Sequence, residues 1–183
     1  MNTLASRGQL RASFFRWALL TIPSVLLLGF LSGKVAPSGP ENSWFMGLSM
    51  PEIMPPFWAF PLAWTVLYLL MGIALALVCA AWGARGRGWA IGFFVLQLLV
   101  NLSWTPIFFG LHDIRLALIV IGVLDALVLV TVALFWRVRR GAALLLLPYL
   151  AWIAFATVLT WHFLVLNPAP PADDSGAVQR VEL

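Results

Sequence analysis

Charged side chains are scarce in this sequence, at 10% of its residues, and cysteine and histidine are nearly absent. A water-soluble domain usually carries about 25% charged residues, so this deficit argues against one. The single cysteine, Cys79, permits neither an internal disulfide nor a multi-cysteine metal site. With only His112 and His162 as histidines, and with no Ser–His–Asp signature, Walker loop or nucleotide-binding fingerprint, the sequence shows none of the common catalytic motifs.

Long apolar runs make up most of the chain, of which 62% is hydrophobic. Each run reaches the ~20 residues that a helix needs to cross the hydrocarbon core of a bilayer. The runs are continuously apolar, whereas the strands of a membrane β-barrel alternate apolar and polar residues. We therefore predict an all-α membrane protein, a five-transmembrane-helix bundle over residues 14–166, with spans at about 14–33, 57–82, 88–110, 114–136 and 141–166.

The segments outside these spans differ in character. Residues 1–13 are predicted to form a basic N-terminal tail, and residues 167–183 a disordered C-terminal tail. The long loop 34–56 contains five prolines and two glycines, which preclude one regular helix, yet it is rich in Trp, Phe and Met. We expect so apolar a loop either to fold over the mouth of a pocket or to lie on the bilayer surface.

The first run also has the features of a secretory signal peptide. Arg7, Arg11 and Arg16 precede a short apolar stretch, as in such signals. No clear small-residue cleavage site follows, and Ser32-Gly33-Lys34 is a weak candidate. A retained helix is therefore favoured over a cleaved signal.

Basic residues are distributed unevenly between the two ends of the predicted bundle. Eight of the eleven Lys and Arg residues fall on the side of the N-terminus and three on the other side. For a helical protein of a cytoplasmic membrane, such as the bacterial inner membrane, the positive-inside rule then places the N-terminus in the cytoplasm and the C-terminus outside. This topology explains the net charge of +4 better than a nucleic-acid partner does, so we expect no such partner.

Three predicted spans carry stripes of polar and aromatic residues at helical spacing. In the third span Gln97, Asn101, Trp104 and Phe108 share one face. The amides either hydrogen-bond between helices or form a pocket wall together with the aromatic rings. Three such stripes could enclose a cavity; the other two are Pro61, Trp64, Tyr68 and Gly72 in the second span, and Pro148, Trp152, Phe155 and Leu159 in the fifth.

Other intramembrane residues favour structural roles. Asp125 has no Lys or Arg at a similar depth, so we expect it to hydrogen-bond to another helix. Small residues spaced by four predict close packing inside the bundle, more than dimerisation at any one pair. These small residues are Gly72, Ala76 and Ala80, then Gly88 and Gly92, and then Gly122 and Ala126. The tryptophans near span ends are typical interfacial anchors, namely Trp17, Trp82, Trp89 and Trp136.

Three segments together resemble the TspO/MBR family of tryptophan-rich sensory proteins and mitochondrial translocator proteins. They are "WFMGLSMPEIMPPFWAFPLAWTVLYLLMG" (44–72), "QLLVNLSWTPIFFG" (97–110) and "PYLAWIAFATVLTWHFLVLN" (148–167). The resemblance runs over residues ~17–167 in the right order. It implies a five-helix bundle, often a homodimer, with a pocket beneath the first long loop.

The resemblance also implies function. Family members bind porphyrins such as protoporphyrin IX and haem, and are assigned to tetrapyrrole transport, sensing or regulation. No further cofactor is implied, and membrane lipid, the tetrapyrrole and a membrane protein are the implied partners. Light-dependent porphyrin breakdown is ascribed to some bacterial members, and its two tryptophans match Trp64 and Trp152. The alternatives are therefore a tetrapyrrole-binding sensor or transporter, a light-dependent enzyme, and a regulatory subunit of another membrane protein.

The stripes and the resemblance together define the predicted ligand-binding residues. Trp44, Asn101 and Trp104 match family pocket positions, and the complete predicted set is Trp44, Trp64, Tyr68, Gln97, Asn101, Trp104, Phe108, Trp152 and Phe155.

The sequence departs from the family pattern at three places. Residues 50–56, Met-Pro-Glu-Ile-Met-Pro-Pro, lack the Lys and Trp of the family's Lys-Pro-x-Trp-x-Pro-Pro. Thr160 stands where many members have Asn. Trp161 and His162 occupy the region of the animal sterol motif without its Tyr and basic residue, which argues against sterol binding there.

Overall fold

The computed structural model describes residues 7–168, in which five long helices and no strand are found. All five are long and apolar enough to cross a membrane, which confirms the predicted fold class. The chain is an integral membrane protein. Its helices are α1 (Arg7–Val35), the one-turn α2 (Ser43–Met46), α3 (Ala59–Cys79), α4 (Arg87–Thr105), α5 (Ile114–Val138) and α6 (Arg140–Leu166).

The helix ends differ from the predicted spans mainly at the N-terminus. α1 begins at Arg7, well before residue 14, because Gln9, Leu10, Arg11 and Ala12 are good helix formers and no proline interrupts them. The loop 34–56 contains α2 and a 3₁₀ turn at Gly39–Glu41. Both elements are short because the prolines of the loop interrupt regular helix. The predicted tails fall partly outside the described residues, at 1–6 and 169–183.

The long helices form a closed ring. α1 packs on α3, α3 on α6, α6 on α5 and α5 on α4, and a smaller contact between α4 and α1 completes the circuit. A short connection joins α3 to α4, but α3 packs more extensively on α6 than on α4. Arg139 alone separates α5 from α6, so these two helices run antiparallel along their length. The ring leaves its interior to side chains from all five helices.

Two apolar clusters fill this interior. The larger lies in the half of the bundle where α3 ends and α4 begins, and there Phe94 stacks on Phe135 with ring centroids 5.8 Å apart. The smaller lies at the opposite end, where Phe45, Phe108 and Phe163 meet. The second cluster has a cavity beside it, described below.

α1 and α3 are in close backbone contact at Gly72. A Cβ added there would lie 2.7 Å from the Cα of Ile22, and the Thr21 hydroxyl donates to the Gly72 carbonyl at 2.9 Å. Close packing inside the bundle is thus confirmed at Gly72. The same expectation is wrong for Gly88, Gly92 and Gly122, where an added Cβ would meet nothing within 4 Å.

Asp125 is tied to a neighbouring helix, as the sequence predicts. The Thr157 hydroxyl on α6 donates to Asp125 Oδ2 on α5 at 2.7 Å. A second bond of this kind joins α1 to α4, where the Ser32 hydroxyl donates to the Leu102 carbonyl at 2.6 Å. Because lipid offers no hydrogen-bond partners, such bonds help to fix which helices are neighbours.

The contrast between two glycines gives a test of this packing. Gly72→Ala should lower the free energy of unfolding by about 1–3 kcal/mol, because the new methyl group meets the backbone of α1. Thermal unfolding of the purified protein in detergent measures the effect. Gly92→Ala is the matched control and should be neutral or slightly stabilising. Equal effects of both substitutions would contradict the close α1–α3 contact.

Candidate ligand-binding site

A cavity of about 790 Å³ lies at one end of the bundle. Its walls come from the last turns of α1 and α4, the middle and last turns of α6, the first turns of α3, Ile121 and Leu124 of α5, and the loop between α1 and α3. Most of the lining is apolar, and much of it is aromatic. The aromatic lining residues are Phe30, Phe45, Phe57, Phe60, Trp64, Tyr68, Trp104, Phe108, Phe109, Trp152 and Phe163.

Most of the predicted ligand-binding residues converge on this cavity. The three stripes come together from α3, α4 and α6, although these helices are far apart in sequence. The predicted residues that line the cavity are Trp64, Tyr68, Asn101, Trp104, Phe108 and Trp152. Their role in binding a ligand stays a prediction.

Ring contacts hold the wall tryptophans in defined orientations. Trp64 stacks on Tyr68 at 5.1 Å between centroids, and Trp104 stacks on Phe108 at 4.9 Å. The Trp104 indole also donates to the backbone carbonyl of Ala117 on α5 at 3.2 Å. The edge of Phe60 meets Trp152 at 5.9 Å. Neighbouring groups therefore hold the indole rings of Trp64, Trp104 and Trp152 in place in the cavity wall.

Two tyrosine–amide bonds lie at different depths along α4. The Tyr68 hydroxyl donates to Asn101 Oδ1 at 2.8 Å, and both residues line the cavity. One turn earlier, the Tyr149 hydroxyl donates to Gln97 Oε1 at 2.9 Å. Gln97 is 0% exposed and its Nε2 has no partner among the described residues. Gln97 therefore serves interhelical bonding, whereas Asn101 combines bonding with a place on the cavity wall.

Trp44 and Phe155 lie outside the cavity lining. Trp44 stacks on His112 with centroids 4.5 Å apart, and packs edge-to-face with Phe108 at 5.6 Å between centroids. Phe155 packs against Trp152, 5.8 Å between centroids, but is not itself part of the cavity lining. Like Gln97, these two residues belong to the stripes or to the family pattern but do not line the cavity.

Phe45 takes the place at the wall that the sequence assigned to Trp44. It is 3% exposed and contacts Phe108, Phe109 and Phe163. α2 sets its direction, since the Asn42 side chain caps this helix by accepting the Phe45 N–H at 2.9 Å. Adjacent helical residues point in different directions, so Trp44 and Phe45 cannot face the same space. In the sequence, an Asn at position 42 directly before Ser43–Met46 could have indicated this short helix, since Asn is a common helix N-cap.

The contribution of α1 to the cavity was also missed. Gly29, Phe30, Gly33 and Lys34 line it, together with Leu26 one turn earlier. These residues form no polar or aromatic stripe. The one feature of the sequence that could have indicated them is the spacing of Gly29 and Gly33 by four residues, since glycine lets a neighbouring side chain approach the helix. An added Cβ at Gly29 would overlap the Tyr68 ring.

The loop 34–56 closes over the cavity. The Asn42 amide donates to the Pro37 carbonyl at 2.9 Å and to the Phe109 carbonyl at 3.0 Å, which ties the loop to the end of α4. At the other side, the Ser49 N–H donates to Asn167 Oδ1 at 2.8 Å, just after α6. Of the two predicted positions for this loop, the structure shows the one over the pocket mouth.

The segment Pro106–Gly110 continues α4 as a short π-helix. Pro106 has no N–H to donate, so the α-helical ladder is broken there and the turn widens. The wider turn places Phe108 and Phe109 against Phe45 of the loop. The aromatic cluster at the end of the third span therefore joins cavity wall and loop.

Comparison with known proteins agrees with this architecture. The sequence profile of the TspO/MBR family matches residues 21–166. The chain belongs to the TspO/MBR family. It is 37% identical to "Tryptophan-rich protein TspO" of Chlorobaculum tepidum over 150 residues, covering 81% of this chain and 94% of that protein.

Other TspO/MBR relatives come from distant organisms. The "Tryptophan-rich sensory protein" of Cereibacter sphaeroides is 37% identical over 147 residues, covering 78% of this chain and 91% of that protein. The human "Translocator protein" is 34% identical over 136 residues, covering 73% and 80% respectively. The similarity thus extends over the helical bundle and is not confined to one motif.

The buried Tyr149–Gln97 bond provides a test of this TspO/MBR bundle. Tyr149→Phe leaves the Gln97 amide without any partner among the described residues, and should lower the free energy of unfolding by about 0.6–1.7 kcal/mol. Adding Gln97→Leu to Tyr149→Phe should recover part of that loss, because no buried polar group is then left unpaired. A double-mutant cycle on thermal unfolding measures the coupling. Additive effects of the two substitutions would contradict the bond.

Proposed function

We propose that this membrane protein binds a tetrapyrrole, such as protoporphyrin IX or haem, in the aromatic cavity and acts in tetrapyrrole sensing or transport. The observation that carries the proposal is the convergence of Trp64, Trp104 and Trp152 from three helices on one cavity. A porphyrin is a large flat π-system, and indole faces offer it stacking area. The cavity volume of about 790 Å³ falls within the usual range for small-molecule sites.

The mode of binding that we propose is ring stacking and not axial ligation by histidine. Neither histidine lines the cavity: His112 stacks on Trp44, and His162 is exposed with a ring nitrogen 2.8 Å from the Val158 carbonyl. We therefore expect a metal-free porphyrin to bind in the cavity as tightly as haem. We propose no cofactor beyond this ligand.

We also propose the orientation in the membrane. Among the described residues, the end of the bundle opposite the cavity carries Arg11, Arg16, Arg85, Arg87, Arg137, Arg139 and Arg140, whereas the cavity end carries Lys34 and Arg115. The positive-inside rule then puts the N-terminus in the cytoplasm and the cavity mouth outside a bacterial inner membrane. The exposed faces at Gly88, Gly92 and Gly122 leave room for a second copy, which supports a homodimer.

A dark titration tests the proposed ligand. Protoporphyrin IX added to the protein in detergent should quench tryptophan fluorescence saturably. Trp64→Phe and Trp152→Phe should each weaken binding roughly 2- to 10-fold, since a smaller ring gives less stacking. The matched control is Trp89→Phe, because Trp89 is 73% exposed at the other end of the bundle. Its dissociation constant should equal that of the wild type.

Two results would count against tetrapyrrole binding in the cavity. Linear quenching without saturation, equal in all four proteins, would mean that the porphyrin only partitions into detergent, and a role as a regulatory subunit would then be the better proposal. Equal weakening by Trp89→Phe would place the porphyrin elsewhere on the protein.

The position of Trp64 and Trp152 favours one further candidate, the light-dependent oxidative breakdown of the bound porphyrin. Both indoles line the cavity and could contact a photoexcited ring. If the protein has this activity, illumination in the presence of oxygen should convert bound porphyrin to a new absorbing product. Trp152→Phe should slow this conversion even at saturating porphyrin. Identical photobleaching with and without protein would exclude this activity.

A further inference from the structure

The mouth of the cavity carries two opposite charges within an otherwise uncharged lining. Among the described residues that line the cavity, Lys34 is the only cation and Glu41 the only anion. Lys34 lies in the last turn of α1, and Glu41 ends the 3₁₀ turn that follows. Both are exposed at the end of the bundle where the loop begins. Any ligand that fills the cavity therefore has its outer edge near these side chains.

The Lys34 ammonium is positioned over an aromatic ring at the mouth of the cavity. Its Nζ lies 5.4 Å from the centroid of Phe30, which also lines the cavity. Within residues 7–168 the ammonium makes no ion pair. Its position at the C-terminal end of α1 favours a cation, because helix carbonyls point toward it. Among the described residues, no carboxylate neutralises this positive charge at the mouth.

A cation in this position can recognise a particular chemical group. Hydrogen bonds between an ammonium and a carboxylate are shorter and stronger than neutral ones. At the edge of an apolar cavity such a pair is less screened than in bulk water. The ring of the ligand would occupy the aromatic interior, while a charged substituent would remain at the wet edge beside Lys34.

We propose that the cavity mouth is a carboxylate-binding site, in which Lys34 pairs with a carboxylate on the edge of a flat aromatic ligand. The inference rests on the proposed function and narrows it. The preferred ligands are amphiphilic, with a planar hydrophobic body and an acidic rim. Neutral rings of the same shape bind less tightly. The negative charge of Glu41 repels a second carboxylate on its side of the mouth.

Two porphyrins of the same ring size provide the test. Protoporphyrin IX carries two carboxylates, and its dimethyl ester carries none. Both are titrated in the dark against the full-length protein in nanodiscs of neutral lipid, by tryptophan quenching. Lys34→Gln should weaken binding of the acid roughly tenfold and leave the ester unchanged. Lys34→Arg should retain tight binding of the acid, and Glu41→Gln should strengthen it.

A matched control separates this site from the general surface charge. Arg115 is exposed at the start of α5, on the same end of the bundle but outside the cavity lining. Arg115→Gln should leave both dissociation constants unchanged. Raising the salt concentration should weaken binding of the acid to the wild type more than to Lys34→Gln, because an exposed ion pair is screened.

The outcomes distinguish this inference from the proposed function. Saturable binding of both porphyrins with no selective effect of Lys34→Gln would overturn the carboxylate site and leave tetrapyrrole binding intact. An equal effect of Arg115→Gln would also overturn it, since the surface potential alone would then explain the preference. Failure of both porphyrins to saturate the wild type would overturn the carboxylate site and the proposed function together.

Discussion

Hydrogen bonds between polar side chains on different helices are the interactions on which this bundle depends. Lipid chains are as apolar as the leucine-rich helix surfaces, so apolar burial alone does not choose helix neighbours. The Tyr149 hydroxyl joins α6 to α4 through Gln97, and the Thr157 hydroxyl joins α6 to α5 through Asp125. Since an unpaired polar group in hydrocarbon is costly, each bond penalises alternative arrangements of the helices.

The cavity lies among these interhelical bonds. The Tyr68–Asn101 bond is part of its lining, and aromatic rings from α3, α4 and α6 form much of the remaining wall. The short π-helix and the loop over the mouth then close the space with Phe45 and Phe109. A rigid aromatic wall, one tyrosine–amide pair and two charges at the mouth are the features that a flat amphiphilic ligand would meet.

Much of this arrangement could be predicted from residue order, and the exceptions have physical causes. Uninterrupted apolar runs fix the five spans, and helical periodicity brings Trp64, Trp104 and Trp152 to one side of their helices. Periodicity shows which residues share a helix face, but it does not show how far along the helix a cavity extends. The pattern therefore includes Gln97 in the predicted site, although Gln97 is buried one turn deeper than the cavity wall. Phe45, and not the predicted Trp44, lines the cavity because of the orientation of the single-turn helix α2. Contacts of Phe45 with Phe109 and Phe163 fix that orientation, and they cannot be read from local sequence.

The claim that a tetrapyrrole binds in the aromatic cavity is tested most directly by locating the bound ligand. A crystal structure with zinc protoporphyrin IX would locate the ring through the anomalous scattering of its zinc. We predict one anomalous peak inside the cavity, between the indoles of Trp64, Trp104 and Trp152. A peak only on the lipid-facing surface, or an empty cavity at saturating ligand, would contradict the account.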